Sequence, residues 1–385
     1  MQRKLIVLAI AGLASGTAMA QTNVTTYGIA DLGYVYSRGS AGTGLGTNKF
    51  SGIANGITAG NRLGFKGEEA LGNGLKAVFT LEYGLNLDTN QGIGTGGLNA
   101  RQQYVGLAGR FGKVALGRQY GPGFNAAANN DALDATDMAI QSSLSVYAGN
   151  TITPNSPSRF NNAISYTSNP MGGLTVSAIY GFGESNYGGL GVAHPTDNGR
   201  IGLGLNYASG PLNLDAVYQS RQHVVEAYPT PVDTGRSVNE WYLGGSWDFK
   251  VVKAYASYQA LKNNNSGVVS GAYGNPAGTA IAAKNHIWTA GLTAPIGPGT
   301  LGLSYGQLKL NNSNFVGQAD GKTWGWGTMY TYPLSKRTAL YAAYTYFNND
   351  HNSIAVQTQV AADGGGIGVV GESNHTFGTG IRHSF

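Results

Sequence analysis

The chain ends on a strand. His375 to Phe385 reads His-Thr-Phe-Gly-Thr-Gly-Ile-Arg-His-Ser-Phe. Period-two alternation sets Phe377, Ile381 and Phe385 on one face and Gly378, Gly380 and Arg382 on the other. An amphipathic strand at a free terminus has an edge to satisfy. The expectation is a sheet whose last strand closes against its first.

The same alternation recurs from end to end in segments of about ten residues. The clearest is residues 75–85. There Leu75, Ala77, Phe79, Leu81, Tyr83 and Leu85 face one way, and Lys76, Val78, Thr80 and Glu82 the other. In the first segment Leu32, Tyr34 and Tyr36 oppose Tyr27, Ile29 and Asp31. Short connections (71–74, 111–113, 169–173, 208–211, 248–250, 295–299, 333–337) alternate with long ones (39–58, 120–158, 184–198, 223–236, 263–285, 311–321, 349–372). Short turns on one side and long loops on the other suit a membrane barrel with turns in the periplasm and loops outside. The tally is about 16 strands, an even number, as closure with both termini at one rim requires. The predicted fold is all-β: a 16-stranded antiparallel transmembrane β-barrel.

Composition supports a sheet with one greasy and one wet face. Charged residues are 11% of the chain, against roughly 25% in ordinary soluble domains. Gly numbers 61 and Tyr 23, and Cys is absent, which excludes disulfides and cysteine metal sites. Residues 1–20 read as a secretory signal peptide: Arg3 and Lys4, an apolar run from Leu5 to Leu13, and Ala18-Met19-Ala20 as the cleavage site. Residues 21–385 are then a single barrel domain. Without Arg3 and Lys4 the net charge is two below the +5 of the whole chain, so basicity is weak evidence for a nucleic-acid partner and none is expected. Past the signal there is no apolar run long enough for a spanning helix.

Lipid offers backbone N–H and C=O groups no partner, so a spanning sheet must close. A charge on the lipid face at mid-depth costs ~2–4 kcal/mol. That cost places Arg62, Lys66, Lys76, Glu82 and Arg101 inside, because each has parity opposite to its apolar neighbours. About 16 strands leave a water-filled lumen, whereas about 8 would fill with side chains.

Five stretches, in order, carry a family resemblance. They are Val24-Thr25-Thr26-Tyr27-Gly28-Ile29-Ala30-Asp31, Asn61-Arg62-Leu63-Gly64-Phe65-Lys66-Gly67-Glu68, Leu71-Gly72-Asn73-Gly74-Leu75-Lys76-Ala77, Gly112-Lys113-Val114-Ala115-Leu116-Gly117-Arg118-Gln119, and Ile381-Arg382-His383-Ser384-Phe385. The chain resembles the general trimeric porins of Gram-negative bacteria, most closely the β-proteobacterial group. Glu69-Ala70 departs from the family's usual Glu-Asp. The resemblance implies a homotrimer in the outer membrane, with lipid, lipopolysaccharide and the barrel-assembly machinery as partners, no cofactor, and a pore for small hydrophilic solutes. It implies that the third loop, 120–158, folds inward. It also implies that Arg62, Arg101 and Arg159 face that loop from the wall. Parity agrees, since Arg159 opposes Phe160, Ile164 and Tyr166, and Arg101 opposes Tyr104.

On this reading Asp131, Asp134 and Asp137 on the loop and the three arginines form the constriction. A transverse field would order water and pass polar solutes, as rings of charge do in pores. Lys66 and Lys76 add positive charge to the lining, Asp31 and Glu82 oppose it, and the balance leans to weak anion preference. Arg118 shares parity with Val114 and Leu116, which leaves its direction open between lumen and subunit interface. An enzyme is disfavoured. Gly302-Leu303-Ser304-Tyr305-Gly306 matches a nucleophile elbow, but it lies in an alternating strand with no helix after it. The glycine patterns at 92–97 and 366–371 lack the strand–helix context of a dinucleotide site. The six histidines have no metal-ligand spacing. A substrate-specific channel and a non-conducting structural or adhesive barrel are the alternatives.

Overall fold

A computed structural model describes residues 23–39, 49–89, 99–183, 199–222, 225–226, 232–233, 236–264, 269–270, 280–312, 319–353, 356–360 and 372–385. The expected signal peptide and the glycine patterns at 92–97 and 366–371 lie outside them.

Seventeen strands make one antiparallel sheet. They are β1 (Asn23–Gly39), β2 (Lys49–Asn55), β3 (Arg62–Gly72), β4 (Leu75–Gly84), β5 (Asn99–Gly109), β6 (Gly112–Tyr120), β7 (Arg159–Thr167), β8 (Leu174–Gly181), β9 (Arg200–Ser209), β10 (Leu212–Arg221), β11 (Val238–Asp248), β12 (Lys253–Asn263), β13 (Lys284–Ile296), β14 (Gly299–Asn311), β15 (Gly321–Pro333), β16 (Thr338–Asn349) and β17 (Ser373–Ser384). β2 and β3 are halves of one wall strand: β2 pairs with residues 32–38 of β1, and β3 with residues 23–29. The wall therefore has the 16 strands the sequence implies.

Closure falls where the C-terminal pattern predicts it. β17 pairs with β1, with Leu32 opposite Ile381 and Tyr36 opposite Phe377. Phe385 adds two backbone bonds to Gly28, each 3.1 Å, and its ring lies where a side chain on residue 28 would be. Only glycine fits there. The burial pattern inverts that of a soluble sheet. Phe377 and Ile381 are 39% and 45% exposed, while Asn374 and Thr376 are fully buried. Apolar residues point outward and polar ones inward, as lipid outside and water inside demand. On the outer face Trp288, Tyr305, Trp324 and Tyr346 follow one another with ring centroids 5.3, 6.2 and 5.4 Å apart.

Between β6 and β7 the chain makes two short helices, α1 (Pro122–Asn129) and α2 (Ile140–Tyr147). Pro122 starts α1, where its missing N–H is no loss. Every residue of α2 is buried. This segment lies against the polar-parity face of the sheet. Glu240 of β11 accepts from Thr151 N (2.6 Å), Thr151 Oγ1 (2.9 Å) and Ile152 N (3.0 Å). Gln219 accepts from Gly123 N, Asn150 donates to Gln259, and Ser257 donates to Gln141. Leu133, Met138, Ile140 and Leu144 share one buried cluster with Ile287, Leu308 and Met329 of the wall.

Candidate functional site: a cationic cluster on the barrel wall

Two arginines from two strands meet at one carboxylate, and a third joins them through a shared tyrosine. Glu82, on β4, is 3% exposed. Arg101 Nε lies 2.7 Å from Glu82 Oε1, and Arg62 Nη1 lies 3.9 Å from Oε2. Tyr120 Oη and Tyr27 Oη each donate to Glu82 at 3.0 Å, and Arg101 Nη2 donates to Tyr120 Oη at 3.0 Å. Arg159 stands over the Tyr120 ring, 5.4 Å from its centroid, and Phe124 of α1 stacks on that ring at 3.8 Å. Charged hydrogen bonds of this kind are about twice as strong as neutral ones and fix the guanidinium planes. The group carries three guanidinium charges against one carboxylate. Arginine stays protonated even beside other cations, so the excess charge is permanent.

Arg62 reaches the cluster by simple alternation; Arg101 does not. Val105 and Leu107 have its parity and are 58% and 45% exposed on the lipid side. A β-bulge changes the direction: Glu82 pairs with Gln102 and Tyr83 with Ala100, so Arg101 is skipped in the ladder. Bulges re-aim side chains in this way. The expectation that Arg101 opposes Tyr104 is corrected, because Tyr104 itself lines the polar concavity with Gln102, Lys113 and Gln119. A second bulge skips Arg118, between the pairs Gly117–Ala163 and Gln119–Phe160. Gly117 has φ +126° and Asn162 has φ +44°. That bulge overturns the outward parity expected of Phe160, which is fully buried with Ala163 and Ile179. Arg118 donates to the Ala100 carbonyl and to Asn161 Oδ1, which ties it to the neighbouring strands.

The remaining expected site residues divide. Asp31 is corrected. It is fully buried rather than lining, because its carboxylate is occupied by Thr58, Ala59 and Tyr341. Asp131 is also corrected: its Oδ1 accepts from Leu133 N at 2.7 Å within its own turn, and it is 5% exposed. Burial pushes this carboxyl up to about 7. Asp134, in left-handed backbone at φ +55°, lies in the field of Arg382 and Lys253 rather than of the arginine cluster. Asp137 is half-buried, and its carbonyl accepts from Gln359 N. Lys76 pairs with Glu68 at 2.8 Å, both half exposed. Lys66 stands 5.3 Å from the Tyr27 ring centroid and shares a concavity with Lys113 and Tyr104. Beside the cluster, the wall and α1 enclose about 440 Å³ lined by Gln102, Lys113, Tyr120, Asn125 and Asp215.

The sequence reading missed the residues that seat the loop. Arg221 and Glu240 form an ion pair at 3.0 Å, and their side chains are 1% and 2% exposed. Glu240 sits next to the outward Trp241, so period two would have found it. Tyr27 and Tyr120 were also missed, and no spacing signal marks them as donors to Glu82.

Comparison with known proteins gives a consistent answer. A family model described as Gram-negative porin matches residues 6–352. Outer membrane porin protein 32 of Delftia acidovorans is 32% identical over 392 residues, covering all of both chains. An outer membrane porin protein of Bordetella pertussis is 31% identical over 91% of this chain and 95% of its own. Among solved structures, an anion-selective porin from Comamonas acidovorans superposes with a TM-score of 0.73. It is 26% identical and covers 95% of this chain and 100% of that one. The trimer form of OmpT, an outer membrane protein of Vibrio cholerae, shares the fold. Its TM-score is 0.60 at 15% identity, over 94% of this chain and 99% of that one.

Proposed function

This chain belongs to the Gram-negative porin family, and from that premise we propose that its pore prefers anions and is filtered by Arg62, Arg101 and Arg159. It is an outer-membrane porin of a Gram-negative cell and not an enzyme. Ions and small hydrophilic solutes cross it passively through the water-filled barrel. Residues 120–158 narrow the lumen, and the arginine wall meets the solute at the narrowest point.

One observation carries the sign: Arg62 and Arg101 share a single carboxylate, with Arg159 beside them on Tyr120, while Asp131 is turned into the loop. A hydrated anion gains attraction there as it sheds part of its water, and a cation is repelled. The Debye length of ~8 Å at physiological ionic strength is comparable to such an opening, so preference is strong in dilute salt and weak in concentrated salt. The anion selectivity named for the Comamonas structure supports the same sign. By analogy with the OmpT trimer, the working unit is a homotrimer, and residues 1–20 are removed on export. Lys66 and Lys113 extend the positive lining below the constriction, while Lys76 is balanced by Glu68.

The test is electrical. In planar bilayers, conductance should appear in steps that close in threes. Replacing both Arg62 and Arg101 with Glu should move the zero-current potential in a salt gradient toward cation preference. An unmoved potential would show that the cluster is not the filter.

A further inference from the structure

The gap between β2 and β3 is bridged by a turn with its own anchor. Residues 56–61 leave the wall, and Asp31 receives them. Its Oδ2 accepts from Thr58 N (2.7 Å), Thr58 Oγ1 (2.6 Å) and Ala59 N (2.8 Å), and its Oδ1 from Tyr341 Oη (2.5 Å). Its own N–H donates to Asn61 Oδ1 (2.5 Å), and its carbonyl accepts from Gly56 N (2.9 Å). Both backbone groups and both carboxylate oxygens of one residue are thus engaged, and all but the Tyr341 bond go to a single six-residue turn.

The other side of that turn touches the filter. Arg62 Nε donates to the Gly60 carbonyl at 2.9 Å. A β-carbon on Gly60 would lie 3.0 Å from Arg101 Nη1, tighter than ordinary contact. Both guanidinium groups thus rest on Gly60. Ile57, fully buried, belongs to the apolar cluster that includes Met138 of the 121–158 segment.

We infer that Asp31 is a positioning residue for ion selectivity. By clamping residues 56–61 it sets the direction of Arg62 and Arg101, and it never meets the permeating ion. The inference rests on the reading of these arginines as the filter. The physical lever is distance. Potential from a fixed charge decays over one Debye length, ~8 Å, so a guanidinium displaced by a few ångströms contributes a weaker field at the opening. A residue that merely held the barrel together would change thermal stability and leave the selectivity of the folded remainder intact.

The experiment compares zero-current potentials in a KCl gradient, with heat stability of the folded barrel measured in parallel. Asp31→Ala should lower the chloride-to-potassium permeability ratio about twofold or more, toward the value for the Arg62→Ala, Arg101→Ala pair. Asp31→Asn keeps one acceptor oxygen and should recover part of the loss. Adding Asp31→Ala to the arginine pair should cause no further shift, because the clamp acts only through those side chains. Gly60→Ala leaves the Asp31 hydrogen bonds in place and crowds Arg101; it should shift the ratio in the same direction, and it decides the matter if Asp31→Ala fails to assemble. The clamp alone is overturned if the arginine pair shifts the potential while folded Asp31→Ala and Gly60→Ala barrels match the wild type, or if the Asp31 and arginine effects add in full. An arginine pair that leaves the potential unmoved overturns the filter reading and the clamp with it.

Discussion

The wall that carries Arg62, Arg101 and Arg159 and the wall that seats the 121–158 segment use the same residue types in opposite ways. On the seating side charges are closed off. Arg221 pairs with Glu240, both almost fully buried, and Glu240 also receives three donors from residues 151 and 152. Asp215 receives the amides of Asn129, Asn130, Asn206 and Asn213. On the arginine side one carboxylate pairs with Arg62 and Arg101 while Arg159 rests on the Tyr120 ring, and the Arg62 and Arg101 side chains stay 20% and 12% exposed. The first arrangement holds backbone in place; the second leaves field over. On the proposed filter, the sign of the pore follows the side where charge is in excess, not a count over the whole lumen.

The comparison breaks most severely at Glu240. Glu240→Ala removes three bonds to the loop and takes the carboxylate away from buried Arg221, which keeps its bond to the Gly149 carbonyl. Breaking such a pair costs on the order of 3–5 kcal/mol. The folded barrel should lose its heat-resistant gel mobility at a clearly lower temperature, and single-channel current should become noisy. Quiet, wild-type channels would show that the loop does not depend on this seat.

Charge reversal on the other wall should spare stability more and change selectivity most. Arg62→Glu with Arg101→Glu leaves one guanidinium against three carboxylates, and permeability should cross from anion to cation preference. Salt sharpens the same point without mutation. Raising KCl from 0.1 to 1 M shortens the Debye length from ~10 to ~3 Å, so the wild-type preference should shrink several-fold. A preference independent of salt would mean that size, not field, selects.

The smallest effect belongs to Asp131. Its folded pKa, about 7, lies above the ordinary carboxylate value, so the folded state binds its proton more tightly than the unfolded state does. Protonated below about pH 4, the group carries no penalty; the penalty grows as pH rises from there and levels off above 7, each unit being worth ~1.4 kcal/mol. Asp131→Asn should therefore slow hydrogen exchange around residues 130–135 at pH 8 and change nothing at pH 4. An unchanged exchange rate at both values would mean that the carboxylate is hydrated in place.

Much of the fold was readable because lipid imposes a strict period of two. Tyr34, Tyr36 and Leu81 announce their side of the wall, and Phe377, Ile381 and Phe385 announce where it closes. The site was harder because it is built where that period breaks. Arg101 enters the cluster through a bulge, and Phe160 leaves the lipid face through another. Asp31 looked like lining because parity gives direction and says nothing of what already occupies a carboxylate. The loop aspartates looked like one group because spacing does not reveal that Asp131 closes its own turn while Asp134 lies near Arg382 and Lys253.

The zero-current potential of the wild-type channel across a tenfold KCl gradient, recorded in dilute salt, tests the charge asymmetry most directly. A potential of the sign set by chloride, collapsing when Arg62 and Arg101 are neutralised, is the expected result. A potential of the sign set by potassium, or one indifferent to both arginines, would contradict it.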